Sequence, residues 1–141
     1  MTKRELSAIL AKASTEETAE LAGKIKRECE IKMLKEPQKT LVMVKVRESV
    51  KNSLFYLGEI LATECMVTVN GVRGMTVIAG DDFEKAVDAA VIDGYLNCVG
   101  EPKASIVIDK IRELGREQAE GRAALNRQLR KSKVNFNVMG E

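Results

Sequence analysis

Apolar residues recur every three or four positions at the start of the chain and every second position in its middle, and this change of period separates helices from strands. Leu6, Ile9, Leu10 and Ala13 mark one face of a first short helix. Ser14-Thr15-Glu16-Glu17 reads as a capping box, the Ser14 hydroxyl accepting from the amide three residues on while Glu17 reaches back. The helix it opens carries Leu21 and Ile25 inward and becomes highly charged at its far end, with Lys24, Lys26, Arg27 and Glu28. Pro37 has no amide hydrogen for a strand ladder and marks a break. Beyond it, Thr40 to Arg47 alternates, with Val42, Val44 and Val46 on one face and Lys45 and Arg47 on the other. Asn52-Ser53 predicts a turn or loop before Phe55-Tyr56-Leu57-Gly58.

The clearest local signal follows. Ile60 to Val69 is rich in β-formers, Asn70-Gly71 supplies the dihedrals of a tight hairpin turn, and Val72 to Ala79 returns as a second strand. Gly74 inside that strand marks a bulge or a point of close approach. Gly80-Asp81-Asp82 ends the strand and offers a helix N-cap, after which Phe83, Ala86, Val87, Ala90, Val91 and Leu96 repeat at helical spacing. Ala86, Ala89, Ala90 and Gly94 thin this helix so that it can lie close to the sheet. Gly100-Glu101-Pro102 breaks the chain again, and a long helix begins with Val107, Ile111, Leu114, Leu125 and Leu129 as its stripe, interrupted at Gln118 and Arg122. Gly115 and Gly121 would together cost about 2 kcal/mol relative to Ala in a helix interior, so the helix bends there or leans on a partner. Val134 to Met139 alternates and is read as a terminal extended segment. The expected fold is α+β over one domain, residues 1–141: N-terminal helices, a small mainly antiparallel sheet with an Asn-Gly hairpin, two C-terminal helices and the extended end.

Composition narrows the chemistry. With 4% aromatic residues and no Trp, the core rests on Val, Ile, Leu, Met and Ala. A formal charge of +2 gives no chain-wide attraction for nucleic acid or an anionic membrane. The start of the chain is amphipathic and no apolar run of 18 residues occurs, so a cytoplasmic protein without a membrane span is expected. Cys29, Cys65 and Cys98 are odd in number, form no CxxC pair and read as reduced thiols. The absence of His removes His-based triads, His-ligated zinc sites and the usual neutral-pH general base.

Other candidates are limited. Gly71-Val72-Arg73-Gly74 and Gly80-Asp81-Asp82 lack the phosphate-loop pattern and are better explained by the hairpin and the cap. Glu59, Glu64, Asp81, Asp82 and Asp93 would bind Mg²⁺ or move protons only if they converged in a cleft. Cys65 lies within a strand, with no His to activate it as a nucleophile. Arg122, Arg127, Arg130, Lys131 and Lys133 suit a nucleic-acid-binding helix, the alternative reading, but no aromatic residues interleave for base stacking. The residues alone describe an α+β domain without a self-contained active site.

Several segments in succession resemble the PhnG family of phosphonate metabolism. They are Pro37 to Val44; Phe55 to Cys65, which is similar to a Phe-x-x-Gly-Glu/Asp-x-x-x-Thr segment; Gly71 to Gly74 with Gly80-Asp81-Asp82 and the helix Ala86 to Asp93; and the tail Lys133 to Met139. Asn135 and Asn137 depart from the acidic residue and second Phe of the family tail, and Glu48 to Ser53 lacks glycine. The resemblance implies an accessory, non-catalytic subunit of the carbon–phosphorus lyase complex, assembled with PhnI-, PhnH-, PhnJ- and PhnL-like subunits. The implied reaction is a transferase step in which an alkylphosphonate displaces adenine from ATP, giving α-D-ribose 1-methylphosphonate 5-triphosphate, with the catalytic centre mainly on the PhnI-like subunit. ATP and the phosphonate are then substrates of the complex, with Mg²⁺ a candidate ion, and no cofactor is expected on this chain alone. Phe55, Tyr56, Leu57, Leu125, Leu129, Phe136 and Met139 are the expected partner contacts, a homodimer is an option for the isolated chain, and Glu59, Thr63, Glu64 and Asp81 are the candidates for touching substrate.

Overall fold

The computed structural model describes residues 2–139, with side chains through Lys131. Two short helices, α1 (Lys3–Lys12) and α2 (Thr15–Glu28), lead into strands β1 (Ile31–Arg47), β2 (Leu54–Val69) and β3 (Val72–Ala79), followed by helices α3 (Phe83–Cys98) and α4 (Lys103–Met139). The strands form one antiparallel sheet in the order β1-β2-β3. The architecture is α+β, as the residue pattern predicts.

Local chemistry sets most boundaries. Ser14 and Glu17 form the expected capping box, and Thr2 with Glu5 forms a second at the start of α1. Asn70 and Gly71 have φ of 50° and 85°, the two positive values that a tight turn needs to match the twist of its strands. Asp82 caps α3 by accepting from the Lys85 amide at 3.0 Å. The Lys85 ammonium is carried back across the fold to the Ala11 carbonyl, 2.5 Å away, one of the free carbonyls at the end of α1.

α3 forms the centre of the molecule. Its Ala86, Ala90, Val91 and Ile92 are fully buried and belong to one core cluster with Cys65, Val67 and Val69 of β2. The small residues permit the contact: a Cβ added at Gly74 would sit 2.3 Å from both the Ala90 carbonyl oxygen and the Gly94 nitrogen. β3 therefore touches α3 backbone to backbone. α2 is fastened to α3 at both ends, by the Thr15 hydroxyl donating to Asp82 and by Lys26 paired with the buried Asp88 at 2.5 Å. α4 enters the body at Ile111, which is fully buried, and the Gln118 amide donates to the Ile9 carbonyl of α1 at 3.0 Å.

Two expectations are corrected. Pro37 interrupts the ladder but does not end the strand. β1 begins at Ile31 and passes through the proline with a bulge between Lys35 and Gln38, where Pro37 has no partner across the ladder. The extended segment expected over Val134 to Met139 is helical and continues α4, which runs unbroken through Gly115 and Gly121. Leu21 and Ile25 both turn inward as expected, Leu21 half-buried against the core, with Thr18 and Ala22 sharing the buried face.

Candidate functional site

The four candidates for substrate contact do not converge. The Thr63 side chain is on the α3-facing side of β2, buried, and its hydroxyl donates to the Gly80 carbonyl at 2.8 Å. Its neighbour Glu64 points to the opposite face, where Lys35 approaches to 2.5 Å and Gln38 donates at 2.7 Å. The hydrogen bond from Lys35, reinforced by that from Gln38, holds the Glu64 carboxyl below the usual carboxylate range. Glu59 is exposed and lies opposite Met43, four residues along the strand from Thr63 or about 13 Å away. Asp81 is exposed in the turn before α3. Thr63 and Asp81 approach one another through Gly80, whereas Glu59 and Glu64 stand apart on opposite faces.

The remaining titratable candidates have structural partners. Asp82 is held low by the Thr15 hydroxyl and the Lys85 amide. Asp93 accepts from the Met75 amide at 3.1 Å, closing part of the outer edge of β3, and has Lys3 at 3.6 Å. Burial pushes the Cys65 thiol up, away from nucleophilic use. Among the described residues no three His, Cys, Asp or Glu side chains gather as a metal site would require, and no helix is long and apolar enough to cross a membrane.

The expected partner contacts are placed very differently. β3 pairs only with Ala62–Val69, so Leu54–Leu61 of β2 and Leu41–Arg47 of β1 continue as a two-stranded ribbon past the end of β3. The paired register puts Leu41, Leu61, Met43, Glu59, Tyr56 and Leu54 on one face of this ribbon. Val42, Ile60, Val44, Val46 and Phe55 occupy the other. A register shift next to Val44 leaves Leu57 without a partner across the ribbon, at 67% exposure. Phe55 and Tyr56 are exposed as well, with the Lys45 ammonium 5.0 Å from the centre of the Tyr56 ring. Leu125 and Leu129 project from the part of α4 in which every residue from Ala119 to Lys131 is exposed. The side chains of Phe136 and Met139 lie outside the described residues.

A second feature was not expected from the sequence. α2, α3 and α4 enclose a cleft of about 510 Å³, floored by Leu21, Ile25, Tyr95, Ile106, Val107 and Leu114. Glu17, Glu20, Lys24 and Glu28 line its α2 side, and Lys103 and Lys110 its α4 side. A lone Tyr in an Ala-rich helix was the available signal for it. No curated protein matches the chain. A family model described as phosphonate metabolism protein PhnG matches residues 1–140.

Proposed function

The chain belongs to the PhnG family of phosphonate-metabolism proteins, and from that premise we propose that it acts as an accessory subunit of a carbon–phosphorus lyase complex, where its contribution is an interface and not a catalytic group. The observation that carries the reading is the bare β1–β2 ribbon. Leu41, Met43, Leu54, Phe55, Tyr56 and Leu57 are all between 46% and 67% exposed. Isolated surface leucines are ordinary, but a contiguous set of large apolar side chains on both faces of one ribbon marks a protein contact.

The reaction assigned to the complex is displacement of adenine from ATP by an alkylphosphonate, yielding α-D-ribose 1-methylphosphonate 5-triphosphate. Its catalytic groups would be supplied mainly by a PhnI-like subunit, with PhnH-, PhnJ- and PhnL-like proteins in the same assembly. The separation of Glu59, Thr63, Glu64 and Asp81 supports that division of labour: general acid–base catalysis needs groups within hydrogen-bond reach of one substrate. In this reading the ribbon packs into the PhnI-like subunit and holds its active site in a productive shape.

The test is co-expression with the PhnI-, PhnH- and PhnL-like proteins of the same organism, followed by an assay for adenine release from ATP and methylphosphonate. Adenine release that requires this chain, and that disappears with Phe55→Ser/Leu57→Ser together with co-purification, is the expected result. Equal release without the chain would overturn the proposal.

A further inference from the structure

The cleft between α2 and α4 has a tyrosine in its floor. Tyr95 is 7% exposed and lines the cleft. Burial raises its pKa, with Glu28 adding to the effect, so it remains a neutral donor at physiological pH. Around it the cleft is apolar at the floor, mainly acidic along α2, where Lys24 stands among Glu17, Glu20 and Glu28, and basic along α4. Such a groove suits an amphipathic helix with an apolar edge, one basic flank and one flank without cations.

The chain itself contains that helix. At 100° per residue, Leu125 and Leu129 stack one turn apart on α4. Arg122, Asn126 and Arg130 fall on one side of this pair, and Gly121, Ala124 and Gln128 fall on the other. The whole segment is exposed, with Leu125 at 55% and Leu129 at 57%. A Cβ at Gly121 would meet nothing within 4 Å in the single chain. A glycine in an open helix interior disfavours the helix relative to Ala, a cost that close approach of a second helix would offset.

We infer that the cleft receives the Leu125–Leu129 segment of α4 from a second copy of this chain, two chains pairing by exchange of these segments. The leucines cover the Ile106, Val107 and Leu114 floor. Arg122 and Arg130 face Glu17 and Glu20, and the uncharged Gly121, Ala124 and Gln128 lie along Lys103 and Lys110, with Lys131 on the same side beyond the segment. Gln128, on that side, brings an amide within the reach of the Tyr95 hydroxyl. The exchange is reciprocal, so the contact is closed and gives a dimer, not a fibre.

The experiment is the solution mass of the purified full-length chain by sedimentation equilibrium. At high micromolar concentration the mass should be twice the 15.5 kDa of the chain. Leu125→Glu/Leu129→Glu should return it to the single-chain mass, with an unfolding midpoint that no longer depends on concentration and equals that of the wild type at high dilution. Arg122→Glu/Arg130→Glu should abolish the dimer, and mixing that variant with a Glu17→Lys/Glu20→Lys chain should restore a heterodimer. Tyr95→Phe should weaken the dimer about 25-fold, the loss of roughly one hydrogen bond in each of its two reciprocal contacts. A single-chain mass for the unsubstituted protein would overturn the inference. A dimer that survives both tail variants and dissociates instead with Phe55→Ser would also overturn it, and would place the self-contact on the ribbon.

Discussion

The two halves of β2 are made of similar residues and have opposite fates. Ala62–Val69 is flanked by β1 and β3 and covered by α3, and its inward side chains Cys65, Val67 and Val69 are almost fully excluded from water. Leu54–Leu61 has β1 alone beside it and no helix over it, and its Leu, Phe and Tyr side chains remain in solvent. Burial of a large apolar side chain is worth about 1.5–3 kcal/mol, so the covered half stabilises the fold while the bare half contributes little of that free energy in the single chain. Apolar sequence is therefore no guide to which half is core. The difference lies in the length of β3, which ends at Ala79 and leaves the rest of β2 unroofed.

That contrast can be broken most severely at Gly74. Gly74→Val would push side-chain atoms into the α3 backbone, and a destabilisation of about 4 kcal/mol or more is expected by chemical denaturation. Ile92→Ala, a cavity in the core cluster that the covered half joins, should cost about 3 kcal/mol in the same measurement. Asp82→Ala removes the α3 cap and should cost about 1 kcal/mol at pH 7. The folded state holds the Asp82 carboxyl below its unfolded value, so it binds fewer protons than the unfolded chain as the pH falls. Its contribution is fully present above the unfolded value near pH 4 and is lost through and below it, so the gap between wild type and variant should narrow from pH 6 to about pH 3. The smallest effect on stability is expected in the bare half: Phe55→Ser/Leu57→Ser should move the unfolding free energy by less than about 0.5 kcal/mol. A loss of several kcal/mol there would mean that the ribbon is part of the folding unit, and the contrast between the halves would fall.

Much of the body was legible because its signals are local. Asn70-Gly71, the strand Val72–Ala79, the Asp82 cap and the thin Gly94 face each depend on a few adjacent residues, and each is present as the pattern requires. The first half of β1 was not legible, since Lys32, Lys35 and Glu36 show no alternation and the segment is held by pairing with β2 some 30 residues away. The end of α4 misled for the converse reason, because Val134-Asn135-Phe136-Asn137-Val138 alternates like a strand although the backbone is helical. Asp93, conspicuous in sequence as an acid among apolar neighbours, is accounted for by one amide of the β3 edge and Lys3. The family resemblance located the ribbon residues, and their shared exposure required the register. Tyr95 and the charges around it come from three helices, so their meeting is a tertiary fact that no local pattern carries.

The length of α4 has a hydrodynamic consequence. Thirty-seven helical residues extend about 55 Å, whereas a globular chain of 141 residues has a radius of gyration near 14 Å and so a diameter below about 40 Å. A single chain should therefore tumble and elute as an elongated particle, ahead of compact proteins of equal mass. If two copies exchange their α4 segments, the protruding rods are taken up side by side and the particle becomes rounder as its mass doubles. Frictional ratio and mass should then change in opposite directions with concentration, a signature that elution volume alone would conceal.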